Sequence, residues 1–139
     1  MRPVPMALHG WGRYPRLQAQ VAWPATEADC LRLLEGGTAP GDGAQGRPSP
    51  WIARGMGRGY GDCALGPHVL QLTRLDQLLD FDEARGVLTC AAGARLDDIL
   101  QVFVPRGWFL PVTPGTRFVT LGGAIAADVH GKNHHHDGT

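Results

Sequence analysis

The sequence predicts an α+β chain, and three observations carry that expectation. Leu96, Ile99, Leu100, Phe103 and Val104 fall at the i, i+3, i+4, i+7 and i+8 spacing of one helix face. Two short apolar runs, 78–82 and 87–91, flank the connection Glu83-Ala84-Arg85-Gly86 as the arms of a β-hairpin would. Twenty glycines and eleven prolines imply many tight turns and close backbone approaches, so the other strands should be short as well.

In chain order, 18–23 (QAQVAW) reads as a strand that Pro24 ends. Thr26 opens a helix, with Asp29 three residues later as a short-armed capping box, and Gly36-Gly37 is expected to end it. Its apolar side is Cys30, Leu31, Leu33 and Leu34. Residues 38–50, rich in Gly, Pro and Ala, read as a flexible loop without chemistry. Further strands are expected at 51–54 and 69–72. In the helix after the hairpin, Asp97 and Asp98 suit the positive N-terminal end, Pro105 and Gly107 close it, and 108–112 reads as one more strand.

Composition excludes several function classes. Thirteen basic and thirteen acidic side chains give a formal charge of zero, which offers no electrostatic footprint for nucleic acid or an anionic membrane. An apolar fraction of 43% with 19% charged residues is that of a globular chain rather than a disordered one. Cys30, Cys63 and Cys90 are odd in number and lack a C-x-x-C pair, so reduced thiols of a cytoplasmic protein are expected rather than a disulfide or zinc site. No stretch is apolar for long enough to cross a bilayer, and residues 1–15 lack the pattern of a secretory leader. The sequence stops at Asp137-Gly138-Thr139, directly after its densest polar motif. Domain boundaries normally fall in linkers, so residues 1–139 are expected to be part of a larger unit.

Two segments carry chemistry. In the first, Arg54-Gly55-Met56-Gly57-Arg58-Gly59-Tyr60-Gly61-Asp62 comes directly after a strand. Alternating glycines let successive N–H groups converge on an anion, because no Cβ obstructs it and positive φ is cheap. A pyrophosphate suits such a loop, with Arg54 and Arg58 adding charge. It is not a dinucleotide fingerprint of the G-x-G-x-x-G type: Tyr60 stands where the last glycine belongs, and 63–67 cannot open a helix. The plain alternative is a set of tight turns.

In the second, Pro114-Gly115 makes a turn and Thr120 caps a small-residue segment. Gly122, Gly123, Ala124, Ala126 and Ala127 there admit a ligand or another backbone. A helix N-terminus here would offer N–H groups to phosphate, while helix-on-sheet packing selects the same small residues. His130-Gly131-Lys132-Asn133 sets a titratable ring, a cation and an amide at the exit. His134, His135 and His136 are consecutive and so cannot all reach one metal without strain; no metal is expected.

Together these residues resemble the FAD-binding module of the vanillyl-alcohol oxidase and p-cresol methylhydroxylase (PCMH-type) superfamily, and within it the decaprenylphosphoryl-β-D-ribose 2′-oxidases. The likeness rests on His9-Gly10-Trp11-Gly12-Arg13, on Ala53 through Asp62, on Pro114-Gly115-Thr116-Arg117, and on Thr120 to Asn133 with its His-Gly-Lys-Asn-His-His string. It implies a PCMH-type FAD module, here its first subdomain and the start of the second, followed elsewhere by a substrate domain. It also implies that flavin contacts run from Ala53 to Cys63, at Gly115 and Thr116, at Thr120, Leu121, Gly122 and Gly123, and at Ala127, Asp128, Val129 and His130. The two segments would close on one diphosphate. Tyr60, His130 and Lys132 would border the flavin ring and the substrate as the catalytic group. Arg58 stands where many relatives carry a flavin-linking histidine, which implies non-covalent FAD, and Gly59 replaces a serine common among the oxidases.

The activity so implied is oxidation of a sugar secondary alcohol, a polyprenyl-phosphoryl ribose 2′-hydroxyl, to a ketone by hydride transfer to flavin N5. A small or lipid-linked sugar would be the substrate and a short-chain dehydrogenase the partner acting on the keto product. Contact with the inner membrane would come only through lipid or partner. An alditol or aldonolactone oxidase keeps the fold and changes the substrate; an inactive fragment that binds no flavin is the reading from another class.

Overall fold

The computed structural model describes residues 1–35 and 50–138. The expected Gly36-Gly37 stop and all but the last residue of the expected 38–50 loop lie outside the described residues. The chain divides into two compact units, Met1–Arg74 and Leu75–Thr139.

The first unit is a four-stranded sheet in the order β1-β2-β4-β3, made of β1 (Val4–His9), β2 (Arg16–Ala22), β3 (Trp51–Arg54) and β4 (His68–Gln71). β1 pairs antiparallel with β2, and β4 runs parallel to both β2 and β3. Side chains alternate across a sheet, so the register Val21↔Val69 and Ile52↔Val69 lays one apolar row across three strands. Leu8, Ala19, Val21 and Val69 are buried there, with Trp23, Ile52 and Leu65 against them. The expected 18–23 strand is present, displaced by a residue or two. β1 was not foreseen: Pro5 interrupts its pattern, and most of this edge strand faces water.

Helix α1 (Glu27–Glu35) begins as its sequence predicts. Asp29 N–H donates to Thr26 Oγ1 at 3.1 Å, and Asp29 Oδ2 accepts from the amides of Thr26 and Ala25 at 3.1 Å each. The Thr26 side chain foremost, then the Ala25 amide and Arg32, hold the Asp29 carboxyl below its ordinary pKa.

The second unit holds the expected hairpin, β5 (Leu78–Asp82) against β6 (Val87–Cys90), antiparallel with a bulge between Leu78 and Asp80. Gly86 turns it at φ +64, and a Cβ there would lie 2.5 Å from the Trp108 ring, so both conformation and packing demand glycine. Helix α2 (Leu96–Phe103) buries Leu96, Ile99 and Phe103 against Leu78, Phe81, Leu88 and Trp108. Its stripe stops short of Val104, which opens a 3₁₀ turn, Val104–Arg106, closed by Gly107 at φ 84.

The expected strand at 108–112 does not form. Trp108 N–H bonds back to Phe103 O at 3.0 Å, and Trp108 and Leu110 pack onto the hydrophobic core as irregular chain. Trp108 and Leu110 therefore owe their apolar character to burial rather than sheet pairing, while Phe109 between them is exposed. Helix α3 (Leu121–Ala126) and a four-residue turn, α4 (His134–Asp137), complete the unit. Among the described residues, no helix is long and apolar enough to cross a membrane.

Candidate functional site

The glycine loop leaves the carboxyl end of β3. Alternation from Ile52 places Arg54 on the core face of the sheet, where it is buried. Its guanidinium donates to His9 O (Nη2, 2.7 Å) and Ala64 O (Nη1, 3.2 Å). Burial pushes its pKa down from the ordinary value, with the Cys63 thiol opposing, yet an arginine remains charged.

Above Arg54 the loop is oriented. Gly59 O accepts from Trp11 N–H at 2.9 Å, and Gly55 O accepts from Gln71 Nε2 at 2.6 Å. Gly61 O lies 2.9 Å from where a Cβ on Gly10 would sit. In a planar trans peptide the C=O and the next N–H point opposite ways. The N–H groups of Met56, Tyr60 and Asp62 are thus turned away from Gln71, Trp11 and Gly10. Among the described residues, no turn or loop bond is donated by the amides of Met56, Gly57, Gly59, Tyr60 or Gly61. Gly57 and Gly61 sit at φ +63 and +62, the left-handed region that glycine enters without cost. Carbonyls held inward and amides left outward, with no Cβ between, fit a diphosphate. Arg58 lies with its guanidinium carbon 5.2 Å from the centre of the Trp11 ring. Tyr60 is 79% exposed, and Ala53, Asp62 and Cys63 are also exposed.

The second segment is built the other way round. Thr120 caps α3 as expected, its Oγ1 accepting from Gly123 N–H at 3.1 Å. However, Leu121 N–H bonds to Ala94 O and Gly122 N–H to Ala92 O, both at 2.8 Å. The amides expected to face phosphate are therefore engaged by the protein. A Cβ on Gly122 would approach the Ala92 carbonyl to 3.0 Å and its Cβ to 2.9 Å, so its smallness serves packing. Ala127 closes α3, and Asp128 turns at φ 49. Val129 N–H returns to Ala124 O at 2.9 Å.

That turn delivers His130 to an open cleft of about 660 Å³ lined by Thr113, Pro114, Gly115, His130, Gly131, Lys132, Asn133 and His134. Gly115, His130 and Lys132, each a separate candidate in the sequence, share this wall. Thr116 lies beside it in sequence, its hydroxyl accepting from Phe118 N–H at 3.2 Å. His130 Nδ1 is 2.8 Å from Asp128 O. A carbonyl only accepts, so Nδ1 carries a proton, and in the neutral ring Nε2 keeps its lone pair. Asn133 braces the wall by donating to Pro111 O at 3.0 Å and to Asp137 Oδ2 at 2.6 Å. The His134 and His135 rings meet edge to face and the His135 and His136 rings lie tilted along α4. Asn133 and the His9–Trp11 turn belong to the motifs of the resemblance, but sequence reasoning gave them no role. The repeated glycine after β1, at Gly10 and Gly12, was the available signal for the turn.

Comparison with known proteins agrees with this geometry. The FAD binding domain family matches residues 19–139. The chain is 38% identical over 134 residues to a decaprenylphosphoryl-β-D-ribose oxidase of Mycolicibacterium smegmatis, covering 95% of this chain and 28% of that protein. A D-lactate dehydrogenase of Anaerostipes hadrus is 30% identical over 63 residues, 45% of this chain and 13% of the relative. Among solved structures, cholesterol oxidase from B. sterolicum superposes with a TM-score of 0.73 at 19% identity, over 93% of this chain and 24% of its own. An alkyldihydroxyacetonephosphate synthase gives 0.66 at 16% identity, over 87% and 23%. The chain thus spans little more than a quarter of the relative it matches over most of its length. It belongs to the FAD binding domain family, and its cofactor is FAD.

Proposed function

We propose that this chain is the FAD-binding part of an oxidoreductase that converts a sugar secondary alcohol to a ketone, with a polyprenyl-phosphoryl ribose 2′-hydroxyl as the substrate. One observation carries the reading: Gly115, His130 and Lys132 line a single open cleft in a chain of the FAD binding family. The 38% identity to a ribose oxidase supports the choice of sugar. In this reading, residues 1–139 are one part of a larger PCMH-type domain.

The outward amides of Met56, Gly57, Gly59, Tyr60 and Gly61 would hold the FAD diphosphate, with Arg58 adding charge, Asp62 at the loop's end, and Ala53, Arg54 and Cys63 flanking it. Arg58 in place of a linking histidine leaves the flavin non-covalent. In the second unit, Gly115, Thr116, Thr120–Gly123 and Ala127–His130 would meet the cofactor through surface and side chain, since the first-turn amides of α3 are engaged. When bound, FAD supplies the two-electron oxidant. His130 Nε2 would accept a hydrogen bond or proton from a substrate hydroxyl, since the Asp128 carbonyl selects the tautomer with its proton on Nδ1. The Lys132 ammonium would orient that hydroxyl or offset developing negative charge. Tyr60 would form part of a pocket wall. A short-chain dehydrogenase acting on the keto product is the partner this chemistry calls for.

The isolated 139 residues are expected to be inactive; the full-length protein that contains them should be yellow, lose its colour on denaturation, and bleach when mixed anaerobically with a polyprenyl-phosphoryl pentose. Lys132→Ala should slow the bleaching without removing the colour. Flavin that stays yellow with the pentose, or bleaching unaltered in Lys132→Ala, would refute the substrate reading or the role of Lys132 respectively.

A further inference from the structure

We infer that Arg54 is the positioning residue of the glycine loop: its guanidinium sets the loop's shape from the protein side, so that the amides meet the diphosphate already arranged. The inference rests on the reading that residues 56–62 receive FAD. It also changes how Arg54 contributes, from a charge beside the phosphates to a support beneath them.

Three observations converge on this residue. First, the residue is only 9% exposed, and its two N–H arms bind carbonyls far apart in sequence, His9 O at the end of β1 and Ala64 O past the loop. One planar fork thereby ties the end of β3 to both flanks of the loop. A lysine ammonium lacks that fork and cannot reproduce the paired geometry. Second, the crown of the loop rests on the guanidinium. A Cβ on Gly57 would overlap Arg54 Nη2 and lie 2.7 Å from its central carbon, so glycine at φ +63 and arginine beneath it form one interlocking pair. Third, the other side is clasped by the turn whose carbonyl Arg54 holds. Trp11 N–H binds Gly59 O, and a Cβ on Gly10 would fall 2.7 Å from Gly59 O. Removing the fork frees both carbonyl anchors and the surface on which Gly57 lies. Preorganised donors bind an anion better than donors that must first be ordered.

The test uses Arg54→Lys and Arg54→Met with two readouts, one of which needs no flavin. Tryptic cleavage after Arg58, read by mass spectrometry without FAD, reports loop order; quenching of flavin fluorescence reports affinity. Losing a charged hydrogen bond predicts cleavage about tenfold faster and FAD binding about tenfold weaker in Arg54→Lys, with more loss in Arg54→Met. Far-ultraviolet circular dichroism should show the sheet intact. Low-millimolar guanidinium should restore part of the affinity of Arg54→Met and none to the parent protein, a response that general destabilisation would not produce. If Arg54→Met does not fold, Arg54→Lys decides. Unchanged cleavage after Arg58 in Arg54→Lys overturns the inference. If the parent binds no FAD while Arg54→Lys loosens the loop, the flavin reading fails and the positioning role stands.

Discussion

In the glycine loop the first unit turns the Gly55 and Gly59 carbonyls toward Gln71 and Trp11, and among the described residues the amides of Met56, Gly57, Gly59, Tyr60 and Gly61 donate no turn or loop bond. Around residues 121–123 the second unit does the reverse: Ala94, Ala92 and Thr120 engage the amides in turn. Both segments are rich in glycine and come after a residue suited to end one element and begin another. The contrast teaches that glycine marks close approach without saying what approaches. Which half of each peptide the protein already satisfies decides whether the guest is an anion or the protein itself.

The largest effect expected from this contrast is at Gly57. Gly57→Ala places a side chain at positive φ and against the Arg54 guanidinium. Left-handed strain and a lost charged hydrogen bond together amount to about 3 kcal/mol, or about a hundredfold weaker FAD binding by calorimetry. Next is Gly122→Ala, which meets Ala92 backbone rather than a flexible side chain. Overpacking should cost about 1–3 kcal/mol of folding stability in a denaturant melt. A loss confined to FAD affinity would place phosphate at α3 after all. Thr120→Ala removes the cap on Gly123 and should cost about 1 kcal/mol, with Thr120→Ser restoring most of it.

The smallest effect lies away from both segments. The Arg95 guanidinium, hydrogen-bonded to Asp98 at 2.7 and 2.5 Å, holds that carboxyl below its ordinary pKa. A depressed carboxylate stabilises the fold fully above its unfolded value, near 4, and progressively less as pH falls through the lower folded value. The pair is partly exposed, so Asp98→Asn should cost only about 0.5 kcal/mol at neutral pH. That difference should vanish in melts at acid pH; a gap that persists there would assign the loss to packing.

The hairpin and α2 were legible because their periods, two and 3.6, are written in residues that the core then buries: Leu78, Phe81, Leu88, Ile99 and Phe103. The Thr26–Asp29 box and the Thr120 cap were legible because capping is local chemistry. β1 was hidden because an exposed edge strand need not alternate and carries Pro5. Residues 108–112 misled because Trp108 and Leu110 pack on the core without a strand partner, and Phe109 between them is exposed. At the site, residue types were readable but peptide directions were not. Nothing in Arg-Gly-Met-Gly says that Arg54 turns inward; its direction comes from parity with Ile52 on a strand whose register only the folded sheet shows.

The most direct test of the outward-amide account is titration of ¹⁵N-labelled protein with ADP, which carries the diphosphate without the flavin ring. The account predicts that the amides of Gly57, Gly59, Tyr60 and Gly61 shift first and saturate together, while those of Leu121, Gly122 and Gly123 move little. Silence at residues 57–61 with saturating shifts at 121–123 would contradict it.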